Sequence, residues 1–189
     1  MMSEKFAEAV AMANELHSGQ FRKGTKIPYI SHPLIVAGTV LQNGGDEDEA
    51  IAAVLHDTVE DCGGKPVMEK IRQRFGEKIA GLVDGCTETD AQPKPPWRER
   101  KERYIQNIKS ASPSVRLISC ADKLHNAASI LSEYKKVGAK VWDRFKGDKS
   151  ETLWFYSAMV SALRAAGEDR PILDELEATV KALRSLGGG

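Results

Sequence analysis

An apolar run in the first third of the chain, Ala50 to Leu55, leads directly into a histidine and an aspartate, His56 and Asp57. A helix that is apolar on all sides is buried, so this stretch predicts a core helix that ends in two polar side chains. Burying a neutral polar group without a partner costs roughly 2–7 kcal/mol, and burying a charge costs more. His56 and Asp57 therefore need a compensating ligand or a tight polar network.

The remainder of the chain also shows helical periodicity. No segment has the sustained alternation of apolar and polar residues that predicts a strand, so the predicted fold is all-α. Asp46 followed by Glu49 is typical of a capping box at a helix start. Gly19 to Pro28 and the proline-rich segment Thr89 to Pro96 are predicted connections. The predicted helices, about eight to ten in a bundle, cover about 3–17, 31–42, 47–61, 65–75, 76–87, 98–110, 113–136, 150–166 and 170–186.

Composition restricts the class of protein. The 189 residues, 41% of them hydrophobic, suit one domain spanning 1–189. Lys and Arg number 27, as do Asp and Glu, so no overall field favours nucleic acid or an anionic membrane as a partner. No apolar run approaches the length of a membrane span. The three cysteines lack CxxC spacing, which favours a reduced, cytoplasmic protein.

Four side chains form a candidate ligand set for a metal ion: His32, His56, Asp57 and Asp122. Two imidazoles and two carboxylates suit manganese, iron or zinc, and ligand softness does not separate these metals. Only two other histidines are present, and neither belongs to a further acidic motif. The sequence therefore predicts a site for one divalent ion.

Two acidic residues follow these ligands along the same side of the predicted helix. Glu60 lies one helical turn beyond His56 and Asp57, and Asp61 lies one turn beyond Asp57. A solvated helix end is a poor explanation for them, because acids near a helix C-terminus oppose its dipole. Glu60 and Asp61 are candidate catalytic residues.

Further polar residues could face the same site. Asn126 is four positions beyond Asp122, and Ser129 is three further, so all three lie along one stripe of a helix. Tyr156 has a hydroxyl on an otherwise apolar aromatic surface. These residues are candidates for binding a substrate.

Ordinary structural roles compete with these interpretations. A His-Asp pair occurs by chance in many proteins, and Asp122 could pair with Lys123 in a buried ion network. The alternating charges from Arg98 to Arg103 suit an exposed helix, and Arg22 and Lys23 are solvent-facing by default. Packing roles or positions behind the ligands are expected for His17, His125, Trp142, Trp154 and Phe155.

Several motifs in order resemble the HD-domain superfamily, and more closely the hydrolase domain of RelA/SpoT-type alarmone enzymes and the standalone small alarmone hydrolases. The matching motifs are His17–Lys23 (HSGQFRK), Pro28–Leu34 (PYISHPL), Leu55–Asp61 (LHDTVED), Phe75–Gly76, Leu82–Thr87 (LVDGCT) and Ala121–Asn126 (ADKLHN).

The resemblance implies an HD-fold bundle that hydrolyses guanosine tetraphosphate or pentaphosphate at the ribose 3′ position and releases pyrophosphate. It implies that His32, His56, Asp57 and Asp122 hold manganese and that Glu60 and Asp61 assist the attacking water. It also implies that the small-molecule partner is a nucleotide. It places Arg22 and Lys23 at the guanine base and Asn126 at the nucleotide. Apart from the resemblance, Lys23, Asn126, Lys101 and Arg144 are candidates to neutralise the phosphate charge, because the reaction needs cationic or polar donors there.

Two alternatives stay open. The same site could act on an adenine alarmone, a nucleoside monophosphate or NADPH, because base identity depends on a few loop contacts and Gly24 departs from the family's usual loop pattern. A nucleotide sensor without catalysis would be expected to have lost a ligand or an acid, whereas all six are present. The sequence leaves the oligomeric state open.

Overall fold

The computed structural model describes residues 2–91 and 93–186, and in these residues the chain forms α-helices and no strand beyond one isolated bridge. The all-α prediction is confirmed. Gln92, in the predicted connection 89–96, lies outside the described residues. The helices are α1 (Glu4–Leu16), α2 (Ser31–Gln42), α3 (Glu47–Leu55), α4 (Thr58–Cys62), α5 (Lys65–Phe75), α6 (Glu77–Cys86), α7 (Trp97–Ser110), α8 (Pro113–Val137), α9 (Lys149–Ala165) and α10 (Pro171–Ser185).

Helix α3 lies at the centre of the fold. Asp46 and Glu49 form the predicted capping box at its start, and every residue from Ala50 to Leu55 is fully buried. Helices α1, α2, α6 and α8 pack around it. The prediction of a buried apolar helix that ends in His56 and Asp57 is confirmed.

The prediction of one continuous helix over 47–61 is wrong. The helix breaks at His56 and Asp57, between α3 and α4. The Thr58 hydroxyl donates to the Leu55 carbonyl at 2.6 Å, and His56 Nδ1 bonds to the Ala53 carbonyl at 2.8 Å. Such side-chain bonds compete with the backbone bonds that would continue the helix. His56 and Asp57 therefore lie between the two helices, where His56 Nε2 comes within 3.2 Å of Asp57 Oδ2.

Two connecting segments border the same region. The loop between α1 and α2 is closed by the bridge between Phe21 and Pro28, and the Arg22 amide donates to the Ile27 carbonyl at 2.8 Å. A short 3-10 helix, Gly138–Arg144, follows α8 and was not predicted. It brings Arg144 against the α1–α2 loop.

Candidate metal centre and cavity

The four predicted ligands lie near one another, although they come from α2, the α3–α4 break and α8, and one ligand atom from each of His32, His56 and Asp57 lies within 4.8 Å of the other two. His32 Nε2 lies 3.4 Å from Asp57 Oδ2 and 3.2 Å from Asp122 Oδ1. His56 Nε2 lies 3.2 Å and 3.9 Å from the same two oxygens. His32, His56 and Asp57 thus form a group that could hold a cation with mixed ligands, and Asp122 lies beside this group within 3.2 Å and 3.9 Å of the two imidazoles.

The hydrogen bonding of the two imidazoles fits a divalent cation. His32 Nε2 and His56 Nε2 are buried and have no hydrogen-bond partner in the described part of the chain. The Nδ1 atom of His56 donates to the Ala53 carbonyl, which leaves the Nε2 lone pair free. His32 Nδ1 lies 2.6 Å from His125 Nδ1, so His125 can accept its proton and leave the Nε2 lone pair of His32 free as well.

The charges also favour a cation. Burial alone would raise the pKa values of Asp57 and Asp122, but nearby positive groups hold both well below the usual range. Burial lowers the pKa of His56, yet the Asp57 and Asp122 carboxylates outweigh it and raise this pKa to about 10. The two carboxylates therefore stabilise positive charge at the position between the imidazoles.

Other side chains hold the carboxylates in place. The Tyr29 hydroxyl donates to Asp57 Oδ2 at 2.6 Å. Lys123 Nζ and Asn126 Nδ2 bond to Asp122. Arg22 Nη2 donates to Asn126 Oδ1 at 2.6 Å, which joins the α1–α2 loop to α8.

The two candidate catalytic acids lie beside this centre in different settings. Glu60 Oε1 accepts from Lys94 Nζ at 2.9 Å and lies 3.8 Å from Arg100 Nη1. Asp61 Oδ1 is 3.8 Å from the same lysine nitrogen. Burial, the Asp57 charge and the Glu60 charge raise the pKa of Asp61 to about 6.

A cavity of about 700 Å³ opens from the centre. Its described lining includes nine lysine or arginine side chains and six carboxylates, an excess of three positive charges in a chain whose formal net charge is zero. The positive charge is therefore concentrated where an anionic ligand would bind. The predicted residues that line it are Arg22, Lys23, Glu60, Asp61, Lys101, Asn126, Ser129, Arg144 and Tyr156, together with the ligands Asp57 and Asp122.

The run Arg98 to Arg103 is not uniformly exposed, as its alternating charges suggested. Arg98 and Arg103 face solvent, whereas Arg100 is 7% exposed and Lys101 lines the cavity. The Glu88 carboxylate accepts hydrogen bonds from both Arg100 and Lys101. Burial, together with nearby Lys123, lowers the pKa of Lys101 despite the Glu88 carboxylate.

Sequence reasoning missed three residues of the site. The three, Tyr29, Glu88 and Lys94, line the cavity and contact a candidate ligand, a candidate acid or a cation of α7. Tyr29 stands inside a recognised motif near His32, and that position was an available signal. The pairing of Asp122 with Lys123, which the sequence left open, is present. Glu88 and Lys94 come from a connection whose path the sequence does not define.

Gly24 is required by the contact between the α1–α2 loop and the 3-10 helix. Its φ of +68° lies in the left-handed region. A Cβ at this position would lie 2.5 Å from Arg144 Cδ, so the arginine stem fills the space that a side chain would need. Arg144 Nη1 also pairs with Glu133 Oε2 at 2.9 Å. Arg144 therefore braces the loop that carries Arg22 and Lys23.

Gly24→Ala should destabilise the protein more than Gly19→Ala. Gly19 has a similar φ of +74°, but no described atom lies within 4 Å of its Cβ position. Both changes carry the left-handed backbone cost of about 1–2 kcal/mol, and only Gly24→Ala also displaces Arg144. Urea unfolding of both variants measures the difference. Equal losses of unfolding free energy would mean that the Arg144 contact contributes nothing.

No helix in the described ranges is long and apolar enough to cross a membrane.

Comparison with known proteins identifies the fold and the family. The protein-family model described as HD domain matches residues 9–148 of this chain. A solved structure of a metazoan orthologue of SpoT, described as hydrolysing ppGpp, superimposes with a TM-score of 0.80 over 98% of each chain at 26% identity. A crystal structure of lmo0812 from Listeria monocytogenes superimposes with a TM-score of 0.72 at 30% identity. The match covers 79% of this chain and 96% of that chain.

The relatives by sequence include alarmone enzymes of two sizes. The guanosine-3′,5′-bis(diphosphate) 3′-pyrophosphohydrolase MESH1 of Xenopus tropicalis is 35% identical over 83% of each chain. The bifunctional (p)ppGpp synthase/hydrolase SpoT of Escherichia coli is 30% identical over 85% of this chain but only 22% of its own length. The fold and the site define an all-α HD-type protein. The chain belongs to the HD-domain family, and its resemblance to the RelA/SpoT-type hydrolases is confirmed.

Proposed function

We propose that this protein is a metal-dependent phosphohydrolase that acts on guanosine 3′,5′-bis(diphosphate), ppGpp, as a 3′-pyrophosphohydrolase, and likewise on the pentaphosphate. One observation carries the proposal: His32, His56, Asp57 and Asp122 converge beside Glu60 and Asp61 at the wall of a cationic cavity. The similarity to MESH1 along most of both chains supports the choice of substrate.

In this reaction water attacks the phosphorus atom that is bonded to the ribose 3′ oxygen. The bond between that phosphorus atom and the 3′ oxygen breaks. The proton lost by water balances the proton gained by the 3′ oxygen, so the products are GDP and pyrophosphate. A divalent cation held by His32, His56, Asp57 and Asp122 would lower the pKa of water and polarise a phosphoryl oxygen. Glu60 and Asp61 take up and pass on the proton as a coupled pair.

The remaining residues of the cavity bind and orient the nucleotide. Lys101 and Lys123 line the cavity and are held by Glu88 and Asp122, and such preformed donors stabilise phosphate charge best where water is excluded. Arg22 and Lys23, which line the cavity on the α1–α2 loop, are the proposed contacts of the guanine base, and Lys23 Nζ lies 5.5 Å from the Phe145 ring centre. Asn126, Ser129, Arg144 and Tyr156 complete the proposed substrate contacts.

The finer features of the proposal follow from the same residues. Manganese is the proposed ion, because the mixed donor set accepts it and the family resemblance favours it. Residues 1–189 are proposed to act as one hydrolase domain in the cytoplasm. The balanced net charge supports a small nucleotide as the partner, rather than nucleic acid or a membrane.

The test is product analysis of purified protein with ppGpp and manganese, resolved by ion-exchange chromatography. GDP and pyrophosphate in equal amounts are expected, and a chelator should stop their formation. An adenine alarmone, NADPH and a nucleoside monophosphate run in parallel identify the preferred substrate. Faster release of phosphate or pyrophosphate from one of these would overturn the assignment to ppGpp, and metal-dependent binding without turnover would identify a sensor.

A further inference from the structure

Tyr29 contacts the ligand atom on which the metal centre converges. Its hydroxyl donates to Asp57 Oδ2 at 2.6 Å. The same oxygen lies 3.4 Å from His32 Nε2 and 3.2 Å from His56 Nε2. The hydroxyl therefore occupies one lone pair of this oxygen and directs the other towards the two imidazoles.

The tyrosine ring is held firmly. His17 packs against it with ring centres 4.6 Å apart, and His17 Nδ1 is fixed by Gln20 Oε1 at 2.8 Å. The Tyr29 amide donates to the Gln20 carbonyl at 3.0 Å.

The ring also lies near residues proposed to bind the nucleotide. The Arg22 guanidinium lies 5.6 Å from the ring centre. Arg22 donates to Asn126, which in turn donates to Asp122. A continuous series of contacts therefore runs from one carboxylate ligand to the other through Tyr29, Arg22 and Asn126.

We propose that Tyr29 is a positioning residue that fixes Asp57 Oδ2 for the cation and joins the metal centre to the loop that carries Arg22 and Lys23. The proposal rests on the metal site of the proposed function and adds a residue that the ligand set does not contain. Loss of the hydroxyl frees Asp57 to rotate, and groups that orient a metal ligand typically change metal affinity by about 10–100-fold.

The first test is the manganese affinity of Tyr29→Phe, measured by competition with a fluorescent chelator in the absence of nucleotide. The Kd should rise about 10–100-fold. Tyr104→Phe is the matched control, because it removes a buried hydroxyl that bonds to Ser119 at 2.9 Å and to no metal ligand. An unchanged Kd for Tyr29→Phe, or an equal rise in both variants, would overturn the proposal.

The second test separates the hydroxyl from the ring. At saturating manganese, Tyr29→Phe should keep the KM for ppGpp, because the ring under Arg22 remains. Tyr29→Leu removes the ring and should raise KM about 2- to 5-fold through the lost cation–π contact. Equal KM values for the two variants would overturn the link to the loop. If wild-type protein does not hydrolyse ppGpp, only the proposed function fails, because the metal affinities are measured without nucleotide.

Discussion

Asp57→Asn should abolish turnover while the protein keeps its fold. The Oδ2 atom of Asp57 faces both imidazole nitrogens, and its negative charge is the largest influence raising the pKa of His56. An amide at this position lacks that charge and offers a weaker ligand. Since the cation would supply several kcal/mol of charge stabilisation, the expected loss in kcat/KM is on the order of 10³-fold or more.

The measurement is the rate of pyrophosphate release over a manganese titration, beside Asp84→Asn as the control. Asp84 is an exposed aspartate of α6 outside the cavity lining, so the same chemical change there should leave the rate unaltered. Far-ultraviolet circular dichroism should show equal helix content in both variants. Metal-dependent activity close to that of the wild type in Asp57→Asn would refute the ligand assignment.

Asp61→Asn should lower activity and raise stability at the same time. As part of the proton-accepting pair, Asp61 is expected to contribute about 10²–10⁴-fold to kcat. Ionisation of Asp61 also destabilises the folded protein, because burial and the Asp57 and Glu60 charges raise its pKa from 3.8 to about 6. The two effects therefore have opposite signs.

The pH dependence follows from the direction of this shift. Between about pH 4 and pH 6 the folded protein holds the proton more tightly than the unfolded chain, so the contribution of Asp61 to stability falls as pH rises through this window. Activity that needs the carboxylate rises through the same range. Asp61→Asn removes the stability cost above pH 6. The side chain is 38% exposed, and solvent screening limits the gain to about 1 kcal/mol or less.

Two measurements check this prediction. The wild-type profile of kcat against pH should rise through an acid limb, and this limb should be lost from the residual activity of Asp61→Asn. Thermal melting at pH 7.5 in chelator should place the variant above the wild type by about 2–4 °C at most. A lower melting temperature together with lower activity would indicate ordinary destabilisation and contradict the proposed role.

The sequence was sufficient for the features that depend on residue type and local periodicity. The run Ala50 to Leu55 predicted a buried helix, and the motifs around His32, His56 and Asp122 predicted which side chains meet. The break at His56 was not predictable from periodicity, because the hydroxyl of Thr58 and the imidazole of His56 decide it by bonding back to α3.

Contacts between distant segments were also beyond the sequence. The bond from Tyr29 to Asp57 and the packing of Arg144 over Gly24 depend on how a loop and a 3-10 helix are placed on the bundle. The burial of Arg100 depends on Glu88, which reaches it from the preceding connection. Alternating charge along α7 describes the average helix surface and does not show which side meets another element.

The ligands of the proposed centre come from α2, the α3–α4 break and α8, segments far apart in the chain that meet only in the folded state. A cation bound there would act as a reversible cross-link, since it binds the folded protein and not the unfolded chain. At 100 times its Kd, such a ligand adds about 2.7 kcal/mol to the free energy of unfolding. The resistance of this protein to heat and proteolysis would then depend on the concentration of the divalent ion around it, even when no nucleotide is being cleaved.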